Sequence, residues 1–136
     1  MRLRVLLSGL SFFVAALLLA WGPVAANARA PHARKACTII GTNGPDMLHG
    51  TPRADVICGL KGNDVIAGGN GNDILRGGPG NDKIQGDTGQ DHMGGGAGND
   101  TLFAYDGGRD WVNGGPGTDR AWVNSALDVI TSVERY

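Results

Sequence analysis

Gly68–Gln85 reads GGNGNDILRGGPGNDKIQ, one nine-residue phrase written twice: Gly-Gly-x-Gly-x-Asp-x-aliphatic-x. A flexible linker can be rich in glycine, but it does not return an aspartate to every ninth place. Working outward, the chain divides from Gly41 into GTNGPDMLH, GTPRADVIC, GLKGNDVIA, GGNGNDILR, GGPGNDKIQ, GDTGQDHMG and GGAGNDTLF, then the ten-residue AYDGGRDWVN, then GGPGTDRAW. Position six is aspartate throughout: Asp46, Asp55, Asp64, Asp73, Asp82, Asp91, Asp100, Asp110 and Asp119. Position eight is apolar throughout: Leu48, Ile57, Ile66, Leu75, Ile84, Met93, Leu102, Val112 and Ala121.

Within one unit, G-G-x-G-x-D predicts a tight turn, since glycine supplies positive φ and lets backbones approach closely. Asparagine at position five (Asn63, Asn72, Asn81, Asn99) also tolerates left-handed geometry. The remaining x-aliphatic-x predicts a very short strand, with position eight on one face and positions seven and nine on the other. Turn, strand, turn, strand closes an eighteen-residue coil. Stacked coils give two parallel sheets with the position-eight side chains between them, an all-β solenoid. Helix finds no support, because glycine would interrupt every turn of it.

One aliphatic side chain per nine residues buries too little to offset the entropy of ordering the chain. Stacking also sets carboxylates eighteen residues apart in rows about one strand spacing, ~4.8 Å, apart. The pairs are Asp46/Asp64, Asp55/Asp73, Asp64/Asp82, Asp73/Asp91 and Asp82/Asp100. A hard divalent cation between successive turns relieves that repulsion. Carboxylates and turn carbonyls form an all-oxygen ligand set, which suits calcium. Zinc would ask for Cys or His, and magnesium prefers strict octahedra and keeps its waters.

This nonapeptide resembles the RTX (haemolysin-type) calcium-binding repeat, over about residues 41–122. CTIIG…DVICGL also resembles small secreted repeat proteins of actinobacteria. The resemblance implies a parallel β-roll and calcium as the cofactor. It implies that each position-six carboxylate, with turn carbonyls from positions one to four, holds an ion between one turn and the turn eighteen residues on. Carried onto this chain, the carboxylates are Asp46, Asp64, Asp73, Asp82, Asp91, Asp100 and Asp119. The turn residues are Gly62; Gly68, Gly69, Asn70 and Gly71; Gly77, Gly78 and Gly80; and Gly95, Gly96 and Gly98.

Several units depart from the pattern. Unit one has Thr42 at position two. Unit two reads Thr51, Pro52, Arg53, Ala54, so a full calcium site is not expected there. Asp87 at position two of unit six either adds a ligand or is solvated. The extra residue of unit eight sets Asp91 and Asp110 nineteen apart and is expected to distort or abolish one site. The best-supported ions lie between Asp64 and Asp82, Asp73 and Asp91, and Asp82 and Asp100.

Residues 1–28 read as a secretory signal peptide: Arg2 and Arg4, an apolar run from Val5 to Ala20, then small residues with cleavage after Ala28. The run falls short of the ~20 apolar residues of a spanning helix. Residues 29–40 form a short lead-in and residues 123–136 a C-terminal capping segment with Asp128 and Ile130 in phase. Cys37 and Cys58 are expected to form a disulfide in an exported chain. It would close a loop worth roughly 3 kcal/mol in chain entropy and replace ions at this end. A metal or catalytic thiol is the alternative.

The formal net charge of −1 conceals an asymmetry, because from residue 41 onward seven basic residues face thirteen acidic ones, a net of −6. That balance speaks against nucleic acid and suits a cation. His32, His49 and His92 are scattered, and the HExxH, GxSxG and GxxxxGK patterns are missing. Phe103, Tyr105, Trp111, Trp122 and Tyr136 cluster late and are expected to cap the end of the stack rather than form a ligand patch. The sequence thus predicts a secreted, monomeric, non-catalytic calcium-binding roll that folds on meeting extracellular calcium. The alternative is a calcium-stapled structural or adhesive surface protein with a cell-envelope partner.

Overall fold

The computed structural model describes residues 35–124 and 126–134. The signal-peptide segment, His32 and Tyr136 lie outside the described residues. Eleven strands and no helix occur among the described residues: β1 Ile39–Ile40, β2 Met47–His49, β3 Val56–Cys58, β4 Val65–Asn70, β5 Ile74–Pro79, β6 Lys83–Thr88, β7 His92–Ala97, β8 Thr101–Ala104, β9 Trp111–Asn113, β10 Arg120–Val123 and β11 Val129–Thr131. Odd strands form one parallel sheet in the order β1-β3-β5-β7-β9-β11, and even strands form the other, β10-β8-β6-β4-β2. The chain crosses from sheet to sheet at every turn. This is the parallel β-roll.

Position eight lies between the sheets as its parity requires: Ile57, Leu75, Ile84 and Leu102 are 0% exposed, and Ile66, Met93, Val112 and Ala121 join them in one core. Ile39 and Leu48 pack on this core from the first strands, and Val123 and Val133 from the last residues of the roll. The register is eighteen residues, as in Ile66↔Ile84 and Leu75↔Met93. Once, past Ala104, it becomes nineteen, as in Met93↔Val112 and Leu102↔Ala121. The extra residue of unit eight is taken up in the turn between β8 and β9, and both sheets continue in register.

Three expectations are corrected. Strands β4 to β7 are six residues long, not three, because pairing continues through positions one to three, as in Gly69↔Asp87 and Gly78↔Gly96. The position-five asparagines do not adopt positive φ. Their side chains instead accept hydrogen bonds from the next coil: Asn63 Oδ1 from the Asn81 N–H (2.8 Å), Asn72 from Gln90 (2.9 Å), Asn81 from Asn99 (2.8 Å) and Asn99 from Thr118 (2.9 Å). Among the described residues, the late aromatic side chains do not gather into a cap over the end. Phe103 and Trp122 hold position nine on neighbouring strands and stack on the outer face of the even sheet, with centroids 5.0 Å apart. Trp111 holds position seven and stacks on His92 at 4.3 Å on the odd sheet.

The expected disulfide forms between Cys37 and Cys58, with a Cα–Cα distance of 6.0 Å. It joins the residue entering β1 to the end of β3, across the first coil.

Candidate metal centre

From Asp64 onward, every position-six aspartate ends a turn and is held by a backbone N–H of the preceding coil. Asp64 Oδ1 accepts the N–H of Asp46 at 2.9 Å, and Asp82, Asp100 and Asp119 continue this rail at 2.8 Å each. A second rail runs from Asp55 through Asp73, Asp91, Asp110 and Asp128, the Oδ1 of each of these four accepting the N–H of the aspartate before it at 2.8–3.1 Å. The Asp91–Asp110 step is 2.9 Å. The nineteen-residue coil therefore leaves the rail intact; what changes is the loop, where Asp106 Oδ2 accepts the Gly89 N–H. Glu134 ends the first rail by accepting the Asp119 N–H at 2.5 Å. Thr38 heads the second, its hydroxyl donating to Asp55 Oδ1 at 3.3 Å.

One oxygen per carboxylate is thus satisfied. The other is not: Oδ2 of Asp64, Asp73, Asp82, Asp91, Asp100, Asp119 and Asp128 is buried without a hydrogen-bond partner. Buried polar groups are ordinarily paired, and an unpaired carboxylate oxygen costs more than a neutral group. All these oxygens but that of Asp128 lie against the position-one glycine of their own turn. A Cβ built on Gly68 would stand 2.6 Å from Asp73 Oδ2 and 2.5 Å from the Gly86 carbonyl oxygen of the next coil. Gly59, Gly77 and Gly95 repeat the arrangement with Asp64, Asp82 and Asp100 and the carbonyls of Gly77, Gly95 and Gly114. The missing Cβ is a cradle in which an anionic oxygen and a carbonyl oxygen converge. Among the described residues no three His, Cys, Asp or Glu side chains gather into a metal cluster, so a cation here needs backbone carbonyls as well. The donor set is all oxygen, and it fits a hard cation of the calcium type.

The family model of the RTX calcium-binding nonapeptide repeat, four copies long, matches residues 40–75, 68–102 and 106–131. The chain belongs to the RTX calcium-binding nonapeptide repeat family. No curated protein matches it. Family membership implies calcium binding in a β-roll, a structural rather than catalytic use of the repeat.

The RTX rails are electrostatically uneven. Burial raises the carboxyls of Asp73, Asp100 and Asp110, with neighbouring aspartates adding to the effect. Burial likewise pushes Asp82 up to about 6 and Asp91 up to about 7, although each accepts a backbone N–H that acts the other way. Asp55 moves down, because the N–H and hydroxyl of Thr51 both donate to it. Those bonds are 2.7 Å each and reach Asp55 Oδ2. Thr42 does the same for Asp46 Oδ2, at 2.6 Å from its N–H and 3.0 Å from its hydroxyl. Asp46, expected among the ligands, is therefore already supplied with donors.

The glycines of the turns stand where the sequence put them. Gly62, Gly71, Gly80 and Gly98 at position four and Gly69, Gly78 and Gly96 at position two all have positive φ. A Cβ on Gly80 would collide with the Gly62 carbonyl oxygen of the coil before, and one on Gly98 with that of Gly80. Asn70 contributes a side-chain rung, its Oδ1 accepting the Thr88 hydroxyl at 2.7 Å. Thr38, Thr42, Thr51 and Glu134 were not legible as members of the rails. Only the loss of glycine at position two marked Thr42 and Thr51, and nothing marked Thr38.

Proposed function

We propose that this RTX chain is a secreted calcium-binding module that condenses into its roll on meeting extracellular calcium, with no catalytic activity of its own. The observation that carries the reading is the file of buried, unpartnered Oδ2 atoms. Asp64, Asp73, Asp82, Asp91, Asp100 and Asp119 would supply the charge. Carbonyls of the glycine turns, including Gly62, Gly68, Gly69, Asn70, Gly71, Gly77, Gly78, Gly80, Gly95, Gly96 and Gly98, would complete the shell. Calcium supplies the positive charge that lets these carboxylates remain ionised inside the stack; the chain's own residues orient the oxygens and keep water out. Binding energy is then folding energy. RTX repeats are typical of secreted proteins, and no helix among the described residues is long and apolar enough to cross a membrane. A surface-adhesive role draws on the outward-facing Phe103–Trp122 stack with Tyr105 beside it.

The test is far-UV circular dichroism of the chain from residue 29, titrated with calcium and separately with magnesium. A coil-to-β transition with calcium alone is expected. A spectrum already rich in β-structure in chelator, and unmoved by calcium, sinks the reading.

A further inference from the structure

The turns fall into two kinds according to the backbone at position two. At Leu60, Gly69, Gly78, Asp87, Gly96 and Gly115, φ is positive, from 64° to 120°. Thr42 and Thr51 are not in that region. The difference redirects one N–H. In the threonine turns it points inward and, with the hydroxyl, donates to Oδ2 of the turn's own aspartate. In the positive-φ turns it points along the stack instead: Gly96 donates to the Gly114 carbonyl at 2.9 Å, and Gly69 to Asp87 Oδ2 at 3.3 Å. No donor then reaches Oδ2, and the aspartates of all six turns (Asp64, Asp73, Asp82, Asp91, Asp100 and Asp119) are left unpartnered, as is Asp128 in the last turn, which has neither glycine nor threonine at position two. Residue type does not account for the difference, since the turns of Leu60 and Asp87 share both the positive φ and the unpartnered Oδ2 with the glycine turns.

We infer that the sign of φ at position two selects which aspartates take a cation, and that Thr42 and Thr51 occupy the ion's place for Asp46 and Asp55. A carboxylate oxygen that already accepts an N–H and an O–H has little to offer a metal; stripped of both, it needs one. The first coil is thus metal-free and held by hydroxyls and the Cys37–Cys58 bond. Calcium dependence begins at Asp64. The inference rests on the calcium reading above and refines which residues serve it.

Calcium bound per chain is measured by equilibrium dialysis on the oxidised full chain, with circular dichroism to verify folding. Asp46→Asn/Asp55→Asn should bind as many ions as the wild type, whereas Asp73→Asn/Asp82→Asn should bind fewer. Equal losses in both doubles overturn the inference while leaving the calcium reading standing. No uptake by the wild type sinks both. Thr42→Ala/Thr51→Ala gives an independent reading. It should keep the ion count and lower the melting temperature in saturating calcium by about 5–10 °C, through loss of two hydroxyl bonds to charged groups. An unchanged melting temperature, or a lost ion, refutes the role of the hydroxyls.

Discussion

Strip calcium from the roll and acidify it from pH 7.5 to pH 5, and protons should do part of the ion's work. In the folded chain Asp82 and Asp91 hold protons with values of about 6 and about 7, against 3.8 for an unperturbed aspartate. A carboxyl raised by folding stabilises the fold below its unfolded value, and that contribution is lost as pH rises through the folded value. Between pH 7.5 and pH 5 these two groups together favour the folded state by about 4 kcal/mol. Asp73, Asp100 and Asp110 act in the same direction. Asp55 acts oppositely, since its lowered carboxyl contributes only above its unfolded value. The metal-free chain should therefore gain β-structure on acidification to about pH 5 and lose some of the benefit below about pH 4. Far-UV circular dichroism after passage over a chelating resin reads this directly. Metal-free spectra that stay constant from pH 7.5 to pH 5, or that lose β-structure, would show that the buried carboxylates are not the obstacle to folding.

Two further predictions concern the turns. Gly80→Ala should cost more than about 3 kcal/mol, since its Cβ would meet the Gly62 carbonyl, whereas Gly107→Ala, with positive φ but open space around it, should cost only about 1 kcal/mol. Thermal melts in saturating calcium compare the two, and equal costs would deny that coil spacing is the constraint. Leu60→Gly should raise stability by about 1 kcal/mol, because Leu60 sits at φ 83° where a side chain is strained; a lower melting temperature would show that its side chain packs more usefully than its exposure suggests.

Much of this architecture was open to reading because its period is written in the chain. Aspartate at position six and an aliphatic residue at position eight fix the coil length, the register and the core. The parity of positions seven and nine also placed Phe103, Trp111 and Trp122 outward, a signal available in the sequence and outweighed there by their late clustering. What could not be read is where a given polar group finds its partner. An asparagine can take left-handed φ or lend its carbonyl oxygen to a neighbouring amide, and the choice at Asn63, Asn72, Asn81 and Asn99 depends on a coil eighteen residues away. Glu134 escapes the periodic count because it reaches Asp119 from only fifteen residues on. The direction of the position-two N–H is set by a backbone torsion that Gly, Leu and Asp share here and Thr does not.

Nearly identical coils pose an addressing problem. A stack displaced by one whole coil would meet almost the same glycines, the same aspartate and a similar aliphatic residue, so its energy would differ little from the native one. The covalent link between Cys37 and Cys58 resolves this at one end. It designates one coil as the origin, and every later coil is counted from there. The single nineteen-residue step past Ala104 supplies a second landmark, since only one alignment of the stack accommodates it. An otherwise repetitive chain thereby acquires a unique numbering in space.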